Sequence, residues 1–213
     1  TPVERFNDPA GYRTSGDDAR GELALHGPEG VIGRTRWQLT GEHNRANACA
    51  ALLAARHVGV PLAQGLDALS RFENVKRRME VRGMVRGITV YDDFAHHPTA
   101  IATTVAGLRR KVGQGRILAV LEPRSNTMKL GTMKAQLPES LREADAAFCY
   151  AANLGWDARE ALAPMGERAV VEDDLERLVD QVALAARPGD HILVMSNGGF
   201  GGIHGKLLNA LAD

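Results

Sequence analysis

The sequence holds only two cysteines, Cys49 and Cys149, far apart and without metal-type spacing. That excludes a disulfide framework and a cysteine zinc site, and both thiols read as core residues of a chain from a reducing compartment. Charge of one sign is missing as well: 26 Lys plus Arg balance 26 Asp plus Glu, so no basic field marks a nucleic-acid or acidic-membrane partner. Aromatic residues make up 5% of the chain, which also argues against nucleic-acid binding. The longest nearly apolar run, Ala46 to Ala55, is too short and too small-chained to span a bilayer. No charged leader with an apolar stretch opens the chain, so nothing argues for export and the setting reads as cytoplasmic. No Gly-Lys-Thr/Ser occurs anywhere, and the glycine-rich stretch Ser196 to Gly202 carries neither a dinucleotide fingerprint nor a Gly-x-Ser-x-Gly setting for Ser196. A dehydrogenase and a serine hydrolase are thereby disfavoured. An initiating methionine is absent too, and the text starts as if inside a folded unit, which reads as a fragment of a longer protein.

What is present divides in two. From Thr1 to Thr40 the apolar segments are short: Glu22 to His26, Val31 to Gly33 and Thr35 to Leu39, with Gly27-Pro28-Glu29-Gly30 as a turn. These predict a small antiparallel meander. Gly41 to Asn47 then opens an Ala/Leu-rich helix over 46–57, stopped by Gly59 and Pro61, and a second helix follows over 61–71. Phe72 to Met79 breaks both periods and carries Lys76, Arg77 and Arg78. The domain boundary belongs there, giving domains of 1–75 and 76–213, with Phe72 to Met79 as the candidate hinge. Beyond it strands (81–85, 88–92, 116–121, 146–150, 168–171, 191–195) alternate with helices (98–111, 132–144 with a kink or split at Pro138, 157–162, 173–186, 203–211). That alternation predicts an α/β fold, a doubly wound, mostly parallel Rossmann-like sheet with helices on both faces.

In such sheets ligands bind at the carboxyl ends of the strands. Three loops are placed there: Asp92-Asp93-Phe94-Ala95-His96-His97, then Glu122-Pro123-Arg124-Ser125-Asn126-Thr127, then Ser196-Asn197-Gly198-Gly199-Phe200-Gly201-Gly202. Arg124 offers a fork for a carboxylate, Ser125 and Asn126 add directional polar groups, and the glycine-rich loop exposes backbone N–H groups to an anion. His96 and His97 point apart at a helix start and do not make a metal pair, so no metal ligands are assigned in this chain. Together the loops describe a polar pocket for a small anionic, peptide-like or nucleotide-like molecule.

Gly41-Glu42-His43-Asn44-Arg45-Ala46-Asn47-Ala48, Arg77-Arg78-Met79-Glu80-Val81-Arg82-Gly83 and Asp92-Asp93-Phe94-Ala95-His96-His97-Pro98-Thr99 resemble consecutive signatures of the Mur ligases, which make cell-wall peptide amide bonds using ATP. Glu122 to Lys129 and Ser196 to His204 resemble the branch of murein recycling, which joins the tripeptide L-Ala-γ-D-Glu-meso-diaminopimelate to UDP-N-acetylmuramate. The resemblance implies an ATP-dependent ligase acting through an acyl phosphate, with ATP and Mg2+ as cofactors and the metal ligands upstream. It makes residues 1–75 the end of an ATP-binding central domain and 76–213 the domain that receives the incoming peptide. It implies His43, Asn44 and Asn47 near the adenine, Arg78 at the nucleotide phosphates or ribose, and Asp93 at the ribose hydroxyls. His96 and Ser196 are implied where the amine meets the acyl phosphate, and Arg124, Ser125, Asn126, Asn197, Gly198 and Gly199 at the tripeptide. Alanine-adding relatives often have Tyr where Phe94 stands and Glu where Ala100 stands, which favours the tripeptide branch. The missing phosphate loop and UDP-sugar domain imply that the chain alone ligates nothing. An alanine-adding ligase and a non-catalytic nucleotide- or peptide-binding module remain as alternatives.

Overall fold

A computed structural model describes residues 5–39, 41–73, 75–124, 128 and 130–213. The chain divides into two compact units, Thr1–Asn74 and Val75–Asp213.

The first unit is an antiparallel sheet of β1 (Arg13–Asp17), β2 (Glu22–Gly27) and β3 (Gly30–Arg36) in the order β1-β2-β3, followed by α1 (Glu42–His57) and α2 (Leu62–Ser70). Ala48, Cys49, Leu52 and Leu53 recur at helical spacing, so one face of α1 is apolar and packs with Leu23 and Leu25 of β2, Trp37, and Leu66 of α2. Gly59, in the left-handed region at φ 96°, ends α1, and the Val60 N–H turns back to the Ala55 carbonyl at 3.0 Å. The sequence pattern missed β1, whose Arg-Thr-Ser-Gly-Asp text has no apolar alternation. It also split β3, which runs unbroken through Arg34 because that strand lies at the sheet edge and needs no continuous apolar face.

The second unit contains β4 (Glu80–Val85), β5 (Ile88–Asp93), α3 (Pro98–Val112), β6 (Ile117–Leu121), α4 (Leu137–Ser140), β7 (Ala146–Tyr150), α5 (Ala158–Leu162), β8 (Ala169–Glu172), α6 (Leu175–Ala185), β9 (His191–Met195) and α7 (Ile203–Ala210). Its six strands are ordered β4-β5-β9-β6-β7-β8, with β4 antiparallel to β5 and every other pair parallel. Strands β5 and β6 are buried at every position, as a parallel sheet covered on both faces requires. Alternate residues serve opposite layers. Ile117, Ala119 and Leu121 pack with Ile101, Val105 and Leu108 of α3 and with Leu137 and Leu162, whereas Leu118 and Val120 pack with Leu178 and Val182 of α6 and Ile203 and Leu207 of α7.

The helix over 132–144 is split near Pro138, as the proline inside it suggested. A 3-10 turn at Lys134–Gln136 leads into the single turn of α4, with Pro138 in its first turn. Proline has no N–H to donate and suits that position, whereas inside a longer helix it would break the ladder. Asp157 and Asp174 cap α5 and α6, accepting from Arg159 N at 2.8 Å and Arg177 N at 2.9 Å. One topological fact governs the site: β9, last in sequence, lies between β5 and β6. The loop after it therefore stands between the loops after β5 and β6.

Candidate functional site

At the end of β5, Asp92 and Asp93 are 4% and 2% exposed. Asp93 Oδ1 accepts the Ala95 N–H at 2.8 Å and the Thr104 hydroxyl at 3.3 Å, and its Oδ2 accepts the Met79 N–H at 2.9 Å. Burial pushes this carboxyl above the usual range, while the two backbone donors and the Arg78 charge pull the other way. The carboxylate builds the turn.

The chain then runs through Phe94 to His96, with His97 extended as the N-cap of α3 and Pro98 in the first turn. His96 Nδ1 lies 2.9 Å from the Phe94 carbonyl. A carbonyl only accepts, so Nδ1 carries the hydrogen and Nε2 is the basic position of the neutral ring. The Phe94 ring, 37% exposed, gathers three cationic or titratable groups. His96 meets it edge-on with centroids 5.3 Å apart, and the Arg77 and Arg78 guanidinium carbons stand 5.3 Å and 5.8 Å from its centroid. Arg78 occupies the middle of a turn whose flanking residues, Arg77 and Met79, both adopt left-handed backbone (φ 60° and 53°).

Ser196 joins all three loops. Its N–H donates to the Asp93 carbonyl at 3.2 Å, its hydroxyl donates to Glu122 Oε2 at 2.6 Å, and the same oxygen accepts the Gly198 N–H at 2.9 Å. The Glu122 N–H in turn donates to the Met195 carbonyl at 3.1 Å. With its proton committed to Glu122 and 1% of its surface exposed, Ser196 orients the loops. Exposed Arg124 lies along the backbone of Gly198, where an added β-carbon would overlap the guanidinium. Only glycine lets the two pack this closely. Asn197 follows Ser196 with its Oδ1 buried and without a hydrogen-bond partner among the described residues, and Gly199 has open space where a β-carbon would stand. Ser125 and Asn126, expected at the peptide, lie outside the described residues.

His43, Asn44 and Asn47 belong to the first unit, on the first two turns of α1. His43 and Asn47 are four residues apart and exposed on a shared face, and Asn44 beside them is half-buried. Four residues of the second unit acquire a role that the sequence did not assign. Arg77 and Glu122 were visible as a charge run and as part of a loop. Asp92 was one of two adjacent acids without distinct duties, and His204 was visible only as the last residue of the Ser196-to-His204 stretch. Its Nε2 lies 3.4 Å from Asp92 Oδ1.

A narrow crevice, too tight to admit a water molecule, lies beside His96, between Ile101, Leu121, Pro123, Met128 and Met195. A groove of about 600 Å³ runs instead along α3 and α4, from Pro98 to Glu143. It is larger, but none of the strand-end polar groups lines it, so the chemistry is assigned to the strand ends. Among the described residues, no group of three or more His, Cys, Asp or Glu stands close enough to hold a metal ion. No described helix is long and apolar enough to cross a membrane.

Residues 77–198 match the family described as "Mur ligase, glutamate ligase domain". The chain is 52% identical over 198 residues to the UDP-N-acetylmuramate–L-alanyl-γ-D-glutamyl-meso-2,6-diaminoheptandioate ligase of Escherichia coli (strain K12), covering 92% of this chain and 43% of that protein. It is 47% identical over 201 residues to the ligase of the same name from Haemophilus influenzae, covering 93% and 44%. A crystal structure of a murein peptide ligase from Psychrobacter arcticus superposes with a TM-score of 0.71 at 35% identity, over 100% of this chain and 47% of that one. The chain thus spans less than half the length of these relatives. With the six-stranded α/β unit and the matched segment running from Arg77 to Gly198, the chain belongs to the Mur ligase family.

Proposed function

We propose that this chain is the carboxyl-terminal part of an ATP-dependent ligase that joins L-Ala-γ-D-Glu-meso-diaminopimelate to UDP-N-acetylmuramate in peptidoglycan recycling. The observation that carries the reading is the arrangement around Phe94 and Ser196. One guanidinium, Arg78, stands on the ring that also carries His96, and a second, Arg124, stands on the loop that Ser196 holds against Glu122. A ligase working through an acyl phosphate needs one cationic group for phosphate, one for the carboxylate of the incoming peptide, and a base between them. The identity to two proteins bearing the tripeptide-ligase name supports the same branch.

In this reading ATP transfers its terminal phosphoryl group to the muramoyl carboxylate, the peptide amine attacks the acyl carbon, and phosphate departs as the amide forms. Arg78 lowers the energy of the charge on the phosphates. His96, with Nδ1–H fixed on the Phe94 carbonyl, presents Nε2 to the attacking amine and accepts its proton. Arg124 clamps a peptide carboxylate, with Asn197, Gly198 and Gly199 alongside, and Ser125 and Asn126 extend the same role. Asn44 and Asn47 read the adenine edge, since an amide both donates and accepts, with His43 beside them. Asp93 holds the turn between Arg78 and His96 and accepts from the ribose hydroxyls. Mg2+ belongs to the same proposal as the counterion of ATP, and no step is assigned to residues of this chain through it. A cytoplasmic location belongs to the same proposal.

The test is ATP-dependent phosphate release by the complete enzyme carrying this chain, supplied with UDP-N-acetylmuramate and either the tripeptide or free L-alanine. Turnover with the tripeptide is expected. Turnover with L-alanine alone would move the enzyme to the alanine-adding branch, and turnover with neither would leave a binding module.

A further inference from the structure

Arg77 makes several directed contacts, and most of them tie together pieces that are distant in sequence. Its backbone carbonyl accepts the Phe94 N–H at 2.8 Å, and its N–H donates to Glu80 Oε2 at 2.9 Å. Its Nε donates to Asp92 Oδ1 at 3.3 Å, and one terminal nitrogen donates to the carbonyl oxygen of Ser196. Its guanidinium carbon stands over the Phe94 ring, 5.3 Å from the centroid. The partner carboxylate is 5% exposed, and Asp92 Oδ1 also faces His204 Nε2 on α7. A half-buried guanidinium thus spans the turn that presents Arg78, the end of β5, and the first residue of the loop against which Arg124 packs. Left-handed backbone at a non-glycine residue is sparsely populated and persists where surrounding bonds over-determine it. At Arg77 those bonds are these contacts.

We propose that Arg77 is a positioning residue that couples the nucleotide-phosphate arginine, Arg78, to the acceptor loop Ser196–Gly199, so that both substrate sites are set by one side chain. The proposal rests on the functional reading above. Two acceptors, the Asp92 carboxylate and the Ser196 carbonyl, are met by different nitrogens of one rigid fork. A lysine ammonium is a single point and cannot reproduce that span.

The experiment compares KM for ATP and KM for the tripeptide in the complete enzyme carrying this chain, for Arg77→Met, Arg77→Lys, Arg78→Met and Arg124→Met. Arg77→Met is expected to raise both KM values about tenfold, the size of one lost charge-assisted hydrogen-bond set. Arg77→Lys is expected to recover little, and millimolar guanidinium added to Arg77→Ala to recover part. Arg78→Met is expected to move mainly the ATP value, and Arg124→Met mainly the tripeptide value. Asp92→Asn loosens the same fork while leaving Arg77 in place and is expected to move both KM values in the same direction. It stands in should the Arg77 variants fail to fold. A fall in kcat proportional to lost folded protein with both KM values unchanged, or movement of one KM alone, overturns the coupling. An unsubstituted enzyme silent with every amine overturns the functional reading and the proposal together, whereas an active one with uncoupled variants overturns the proposal alone.

Discussion

Gly198 and Ser196 set the fine geometry of the strand-end pocket by opposite means. Gly198 acts through what it lacks: an added methyl would overlap the Arg124 guanidinium. Gly198→Ala is therefore expected to displace Arg124 and raise KM for the tripeptide by about tenfold, roughly 1.4 kcal/mol, with little change in KM for ATP. Steady-state kinetics at saturating concentrations of the other substrates separates the two. Ser196 acts through its hydroxyl, which satisfies both Glu122 Oε2 and the Gly198 N–H. Removing it leaves a buried donor and a carboxylate oxygen without their partner, a loss of roughly 1–3 kcal/mol. Ser196→Ala should lower the unfolding free energy by that amount, seen as a lower denaturant midpoint at unchanged slope. A nucleophilic serine would instead show up as a covalent intermediate, and none is expected here.

Helix α3 and strand β9 carry much of the second unit's packing, and each makes a measurable commitment. Leu108 on α3 is fully buried among Ile117, Val105 and their neighbours, so Leu108→Ala should cost about 2–5 kcal/mol through lost transfer energy and a residual cavity. Chemical denaturation reads this directly. At the head of β9, His191 Nδ1 lies 3.2 Å from the Tyr91 hydroxyl. Burial holds the imidazole below its ordinary value of 6.5, with Asp190 opposing and Lys111 and Arg109 assisting. The folded protein then resists taking up a proton that the unfolded chain binds readily. Stability from this residue is complete above about pH 6.5 and declines as the pH falls below it. His191→Gln, followed by thermal denaturation between pH 7 and 5, should flatten that decline. His204, also held low chiefly by burial, leaves a residual slope of the same sign. The elements themselves were largely legible in the text, because buried parallel strands read as unbroken apolar runs and helices as Ala/Leu periods. The length of α4 was not, since the text from Thr132 to Ala144 looks helical until Pro138 is placed against the turn that precedes it.

At the scale of the molecule, sheet order decides what the sequence leaves undetermined. A run such as His-Ile-Leu-Val-Met identifies β9 as a strand, but nothing local says that it inserts between β5 and β6. The three polar loops could be foreseen at one edge of the sheet. Their mutual bonds could not, since Arg77 and Ser196 are 119 positions apart and only the fold brings them together. For the same reason the bonds that Asp93 accepts from Met79, Ala95 and Thr104 could not be read from its place in a polar turn. The largest consequence concerns the chain by itself. Its sequence contains no Gly-Lys-Thr/Ser phosphate loop, and among its described residues no carboxylate–histidine group is built to hold a metal. Phosphoryl transfer depends on positioning and on neutralising charge at the terminal phosphate, and Arg78 alone supplies neither the cradle nor the metal. Residues 1–213, purified and given ATP, Mg2+, UDP-N-acetylmuramate and the tripeptide, should release no ADP above the rate of the buffer. The complete enzyme, assayed beside them in the same coupled reaction, should release it readily. Tripeptide binding by calorimetry tests the other half of the division: affinity of the isolated chain for tripeptide that is lost in Arg124→Met is expected if the acceptor site is self-contained in the second unit. ADP release by the isolated chain would mean that the nucleotide site is built entirely within it, and the roles given to Arg78 and the α1 residues would have to be assigned afresh.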